Sequence, residues 1–67
     1  MKTAKEANQE RVGLKMKLSN YSWYNWSMVA SKNDECYILV NVKKMDNSIK
    51  KIIPVILNGV EVKVEIE

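Results

Sequence analysis

Histidine and phenylalanine are both absent from this 67-residue sequence, cysteine and proline occur once each, and glycine occurs twice. Without histidine there is no imidazole to serve as a general base, and no Ser-His or Cys-His nucleophile pair can form. Cys36 has no second cysteine with which to close a bridge. One thiolate plus carboxylates is also a rare zinc set, so neither a metal nor a cofactor is expected. Gly13 and Gly59 cannot make a glycine-rich phosphate loop. Asp34 and Glu35 are adjacent acids, but neighbours on an extended chain point to opposite faces, and the pair reads as a solvated turn. Catalysis is not expected.

Long apolar runs are missing too. The longest, residues 52–57 and 37–40, are far too short to cross a bilayer as a helix. Residues 1–10 lack an apolar signal core, and a single thiol suits a reducing compartment. The expectation is a cytoplasmic protein without a membrane partner. A chain of this length buries only about 60% of the surface its unfolded form exposes, and small domains usually compensate with disulfides, a metal or a partner subunit. With the first two set aside, self-association is the compensation left.

What is present favours strands. Eight Val, six Ile, three Tyr and two Trp stand against three Ala and four Leu, and β-branched and aromatic residues suit a pleated surface. The net charge of +3 is local. Residues 1–20 hold five basic and two acidic side chains, and residues 21–67 hold six of each. A basic overall balance therefore does not by itself imply a nucleic-acid partner.

Thr3 followed by Glu6 is a capping-box pattern and predicts a short helix over residues 3–10. From Arg11 the period becomes two, with Val12, Leu14, Met16 and Leu18 apolar, which predicts a strand over 11–19. Helical spacing of Ala7, Leu14 and Leu18 is the competing reading, and Gly13, costly inside a helix, argues against it. Further strands are expected over 23–31, 35–43, 49–57 and 60–67, with turns at residues 31–34 and 46–48. Asn58-Gly59 predicts a type I′ hairpin turn. In that register Leu57, Val55 and Ile53 face Val60, Val62 and Val64 as core. The expected fold is mainly β, a small α+β domain with a short N-terminal helix and about five antiparallel strands in a compact sheet or small barrel.

The predicted fourth strand is apolar on both sides, leaving Ile52, Pro54 and Ile56 facing away from the core. Pro54 cannot donate to a ladder and belongs at an edge or bulge, and an apolar edge needs a cover. The N-terminal helix or a second copy could supply it. Tyr24, Trp26, Met28 and Ala30 share one predicted face, assigned to the core, which leaves Trp23 and Tyr21 outward. Ile52, Pro54, Ile56, Tyr21 and Trp23 are thus the interface candidates for a homodimer or another protein partner. The preferred function is a non-enzymatic module that self-associates. The alternative is a single-stranded nucleic-acid binder. It would stack bases on Trp23 and pair phosphates with Arg11, Lys15, Lys17, Lys43, Lys44, Lys50 and Lys51. Cys36, in phase with Ile38 and Val40, is read as a small buried residue and not a nucleophile.

Overall fold

A computed structural model describes residues 3–67 as a small α+β fold with a four-stranded mixed sheet. Chain order is α1 (Ala4–Leu18), β1 (Tyr24–Lys32), β2 (Glu35–Val42), α2 (Asn47–Ile52), β3 (Ile56–Leu57) and β4 (Val60–Ile66). The sheet runs β1-β2-β4-β3 and stays open, with β1 and β3 at its two edges. Among the described residues there are four strands instead of five, and no barrel.

The capping box forms as the sequence predicts. The Thr3 hydroxyl accepts from the Glu6 amide at 3.1 Å, and Glu6 Oε1 accepts from the Thr3 amide at 3.3 Å. The helix then continues through Leu18, so the strand expected over 11–19 does not exist. Ala7, Leu14 and Leu18 are the side chains it buries, at helical spacing, while Val12 and Met16 are exposed. Burying a leucine fully is worth about 1.5–3 kcal/mol, which outweighs the roughly 1 kcal/mol that Gly13 costs a helix. A Cβ added at Gly13 would meet nothing within 4 Å. Gly13→Ala is therefore expected to stabilise the protein by about 0.5–1 kcal/mol, raising the thermal midpoint by a few degrees. An unchanged or lower melting temperature would refute that.

Helix α1 packs on β1 and β2. The β1–β2 hairpin turns at Asn33-Asp34, both at positive φ (54° and 64°). Strand β1 carries an irregularity: Tyr24 pairs with Val42 and Trp26 with Asn41, so Asn25 is the extra residue of a bulge. Its side chain donates to Asn41 Oδ1 at 2.8 Å, which satisfies a buried amide. In β2, Ile38, Val40 and Val42 are fully buried, as their alternation predicts.

Residues 49–57 are not one strand. Asp46 caps α2, accepting from the Ile49 amide at 2.9 Å and from the Ser48 hydroxyl at 2.6 Å. The Ser48 bond first, then the Ile49 amide, holds the Asp46 carboxyl below its ordinary pKa. Ile49 and Ile53, one turn apart, enter the same core as Val60 and Val62. Pro54 follows the C-cap Ile53, whose backbone is already extended (φ −89°, ψ 116°), as a residue before proline prefers. Pro54 therefore lies between α2 and the sheet, not within a strand.

The Asn58-Gly59 turn stands as predicted, with φ of 50° and 84°. The hairpin around it is short: Leu57 pairs with Val60 and Ile56 with Glu61, and one further hydrogen bond runs from the Val62 amide to the Val55 carbonyl at 2.8 Å. The expected pairing of Ile53 with Val64 is absent. Strand β4 spends its length beside β2 instead, in parallel, from Tyr37↔Glu61 to Val42↔Ile66. Of the six residues expected to form the hairpin core, Ile53, Val60 and Val62 are buried, and Leu57 packs partly against them. Val55 and Val64 are exposed.

Candidate functional site

The predicted aromatic pair does not present an open tryptophan. Trp23 is 8% exposed and belongs to the core, whereas Trp26 is 44% exposed. Trp23 and Trp26, three residues apart on an extended chain, face opposite sides. The core takes the side of Trp23 and Val29 instead of the side expected, and the bulge at Asn25 brings Tyr24 onto that same side. Trp26 and Met28 point to solvent, while Tyr24 and Val29 pack on the core. Tyr21 remains exposed and stacks on Trp23, with ring centres 4.9 Å apart and planes 21° from parallel. A base cannot reach the buried indole of Trp23 as the alternative function requires.

The basic candidates sit on separate elements. Arg11, Lys15 and Lys17 belong to α1, with Arg11 Nε donating to Asn8 Oδ1 at 2.9 Å. Lys43 and Lys44 lie in the β2–α2 connection, and Lys50 and Lys51 occupy the last turn of α2. Strand β4, which bears Glu61, Glu65 and an ion pair between Lys63 and Glu61 (3.5 Å), lies beside β2, not beside the Arg11–Lys17 segment. Cys36, expected to be buried, is half-buried against the core. Among the described residues no group of three or more Cys, Asp or Glu side chains is arranged to hold a metal, and no helix is long and apolar enough to cross a membrane.

An apolar depression lies where α2 meets the β3–β4 edge. Met45, Ile53, Pro54, Val55, Val62 and Val64 line a groove of about 340 Å³, with Lys50 at its rim. Val55 is 79% exposed, Ile56 65% and Ile66 58%, all at this end of the sheet. Of the interface candidates, Pro54 lines the groove, Ile56 is exposed on β3 on the opposite face, the side of its partner Glu61, and Ile52 is half-buried against the core. Tyr21 and Trp23 belong to the α1–β1 connection and the core. The sequence reading placed Val55 and Val64 inside and so missed them as surface residues. Asp46 as a cap and Pro54 as a helix stop were the signals that could have revealed α2.

The same region has an open sheet edge. Strand β3 is two residues long and β4 is seven, so among the described residues Lys63–Ile66 have no strand partner on the side away from β2. The direction of each amide is fixed. The Val62 amide points towards β3, donating to Val55, and the Glu67 amide points towards β2, donating to the Val42 carbonyl at 2.8 Å. Backbone groups alternate along a strand, so those of Val64 and Ile66 face outward at the open edge. On the helix side of this edge stand Val64 and Ile66, and on the other Glu61, Lys63 and Glu65. Neither the family models, nor the curated proteins, nor the solved structures compared with this chain give a match.

Proposed function

We propose that this protein is a small non-enzymatic binding and assembly module that associates with itself as a homodimer. The observation that carries the reading is the apolar surface at the β3–β4 edge: exposed Val55 and Val64 line the groove, and exposed Ile66 lies further along β4 on the same face, beside an unpaired strand edge. Isolated exposed aliphatics are ordinary, but an apolar cluster beside a bare strand edge invites pairing with another chain. Small size adds a thermodynamic reason, since a partner subunit supplies burial that a single chain of this length lacks. The packing of α1 on β1 and β2 leaves this end for a partner to cover.

Sedimentation velocity across the micromolar range tests the reading. A concentration-dependent shift from monomer to dimer is the expected result. Ile66→Asp, which places a charge on an exposed position of β4, is expected to stay folded and remain monomeric. A wild-type protein that sediments as a monomer at every concentration up to hundreds of micromolar would overturn it.

A further inference from the structure

Resting on the self-association reading, we infer how the two copies meet: β4 pairs antiparallel with β4 of a second copy, with Val64 opposite Val64 on the two-fold axis. Three observations set this register. First, the backbone groups of Val64 point outward at the open edge, as the bonds of the Val62 and Glu67 amides establish. An antiparallel pair centred on such a residue exchanges two N–H···O bonds at the centre.

Second, the charges flanking the axis fit this register and no neighbouring one, and the Glu61–Glu67 pairing further out does not form because Ile56 of β3 already occupies the edge beside Glu61. With Val64 on the axis, Lys63 lies opposite the partner's Glu65, and Glu65 opposite the partner's Lys63, giving an opposite-charge pair on each side of the centre. Centring on Glu65 would set that carboxylate against its own copy, and centring on Lys63 would do the same with two ammonium groups. Centring on Ile66 would place Glu65 against the partner's Glu67. Like charges directly opposite destabilise a strand pair, and opposite charges stabilise it. Lys63 Nζ at present lies 3.5 Å from Glu61 Oε1 and 4.6 Å from the centre of the Tyr37 ring. It already stands on the exposed polar face where the partner's Glu65 would arrive.

Third, the apolar face is served by the same register. Val64 meets the partner's Val64 on the helix side, next to the groove lined by Ile53, Pro54 and Val55, and the partner's Ile66 ends where Val55 already occupies the edge beside Val62. The Val62 amide is already taken by Val55, which keeps the new ladder short. The dimer is accordingly a small, weak interface that joins two four-stranded sheets edge to edge.

Charge exchange tests the register. Sedimentation velocity is run on wild type, K63E, E65K, the double variant K63E/E65K and an equimolar mixture of the two single variants. Circular dichroism verifies the fold of each. Each single variant sets like charges opposite at both flanking positions, and its dimer midpoint should rise about tenfold or more. The double variant restores both pairs with signs reversed, and the mixture restores them across a heterodimer, so both should return close to wild type. In the unmodified protein, exchange of the Val64 amide should slow as concentration rises through the midpoint. A wild-type dimer whose single variants associate equally well, whose double variant is not rescued, or whose Val64 amide gains no protection would overturn this register and leave self-association standing. A wild-type protein monomeric throughout would overturn both.

Discussion

Trp23→Ala is expected to remove a large share of the protein's stability and shift its unfolding midpoint far down, while Trp26→Ala leaves the midpoint near wild type. The two residues are close in sequence and opposite in environment. Trp23 is enclosed by the core, stacks on Tyr21, and accepts a hydrogen bond at its carbonyl from the Lys43 amide at 2.8 Å. Truncating a buried tryptophan costs about 3–5 kcal/mol, and a domain of this length has a total stability of roughly 3–10 kcal/mol. Trp26 lies on the solvent side of β1 and should cost less than about 1 kcal/mol. Urea titration followed by circular dichroism separates them. Acrylamide quenching adds a check: the indole left in the Trp26→Ala protein should be shielded, because it is Trp23. Equal midpoints for the two variants would mean that Trp23 is not the buried one.

Ile38→Ala carries the second largest expected effect, about 2–5 kcal/mol, against about 0.5–1.5 kcal/mol for Ile38→Val. Ile38 sits in β2, an interior strand, opposite Val29 on one side and Val62 on the other, and is fully buried. Removing its branched side chain leaves a void bounded by two strands and α1, which cannot all close in at once. Denaturant unfolding at one fixed, low protein concentration measures the loss without any contribution from self-association. A loss below about 1 kcal/mol would contradict the placement of Ile38 at the centre of the sheet.

Local chemistry was legible in the sequence, and long-range arrangement was not. Thr3 with Glu6, the turn residues around Asn33, and Asn58-Gly59 each specify a backbone conformation through nearby atoms, and each appears as expected. The alternation of Ile38, Val40 and Val42 likewise identified the buried face of β2. Residues 11–18 fit two periods at once. Leu14 and Leu18 belong to both patterns, and only burial against β1 and β2 decides that Val12 and Met16 are the ones left out.

The segment from Ile49 to Leu57 misled for a different reason. Apolar side chains on both sides of a supposed strand turned out to be a helix that buries Ile49 and Ile53, followed by a short exposed stretch at Val55 and Ile56. The candidate site inherits this. Pro54 and Ile56 were legible as an apolar surface needing a cover, whereas the open edge of β4 depends on β3 being short, which no local signal announces. The bulge at Asn25 is equally silent, and it brings Tyr24 onto the same side of β1 as Val29.

The parallel pairing of β2 with β4 has a kinetic consequence. The β1–β2 hairpin joins neighbours across a two-residue turn, but Ile38 meets Val62 across 62 − 38 = 24 residues of sequence. Closing such a span costs chain entropy before any contact repays it. The two middle strands of the sheet therefore come together after the hairpin beside them. Until they do, β2 exposes a full row of unmatched backbone groups along the seam that β4 will occupy. The slow step and the moment of greatest vulnerability to mispairing coincide at the centre of the molecule, not at its rim.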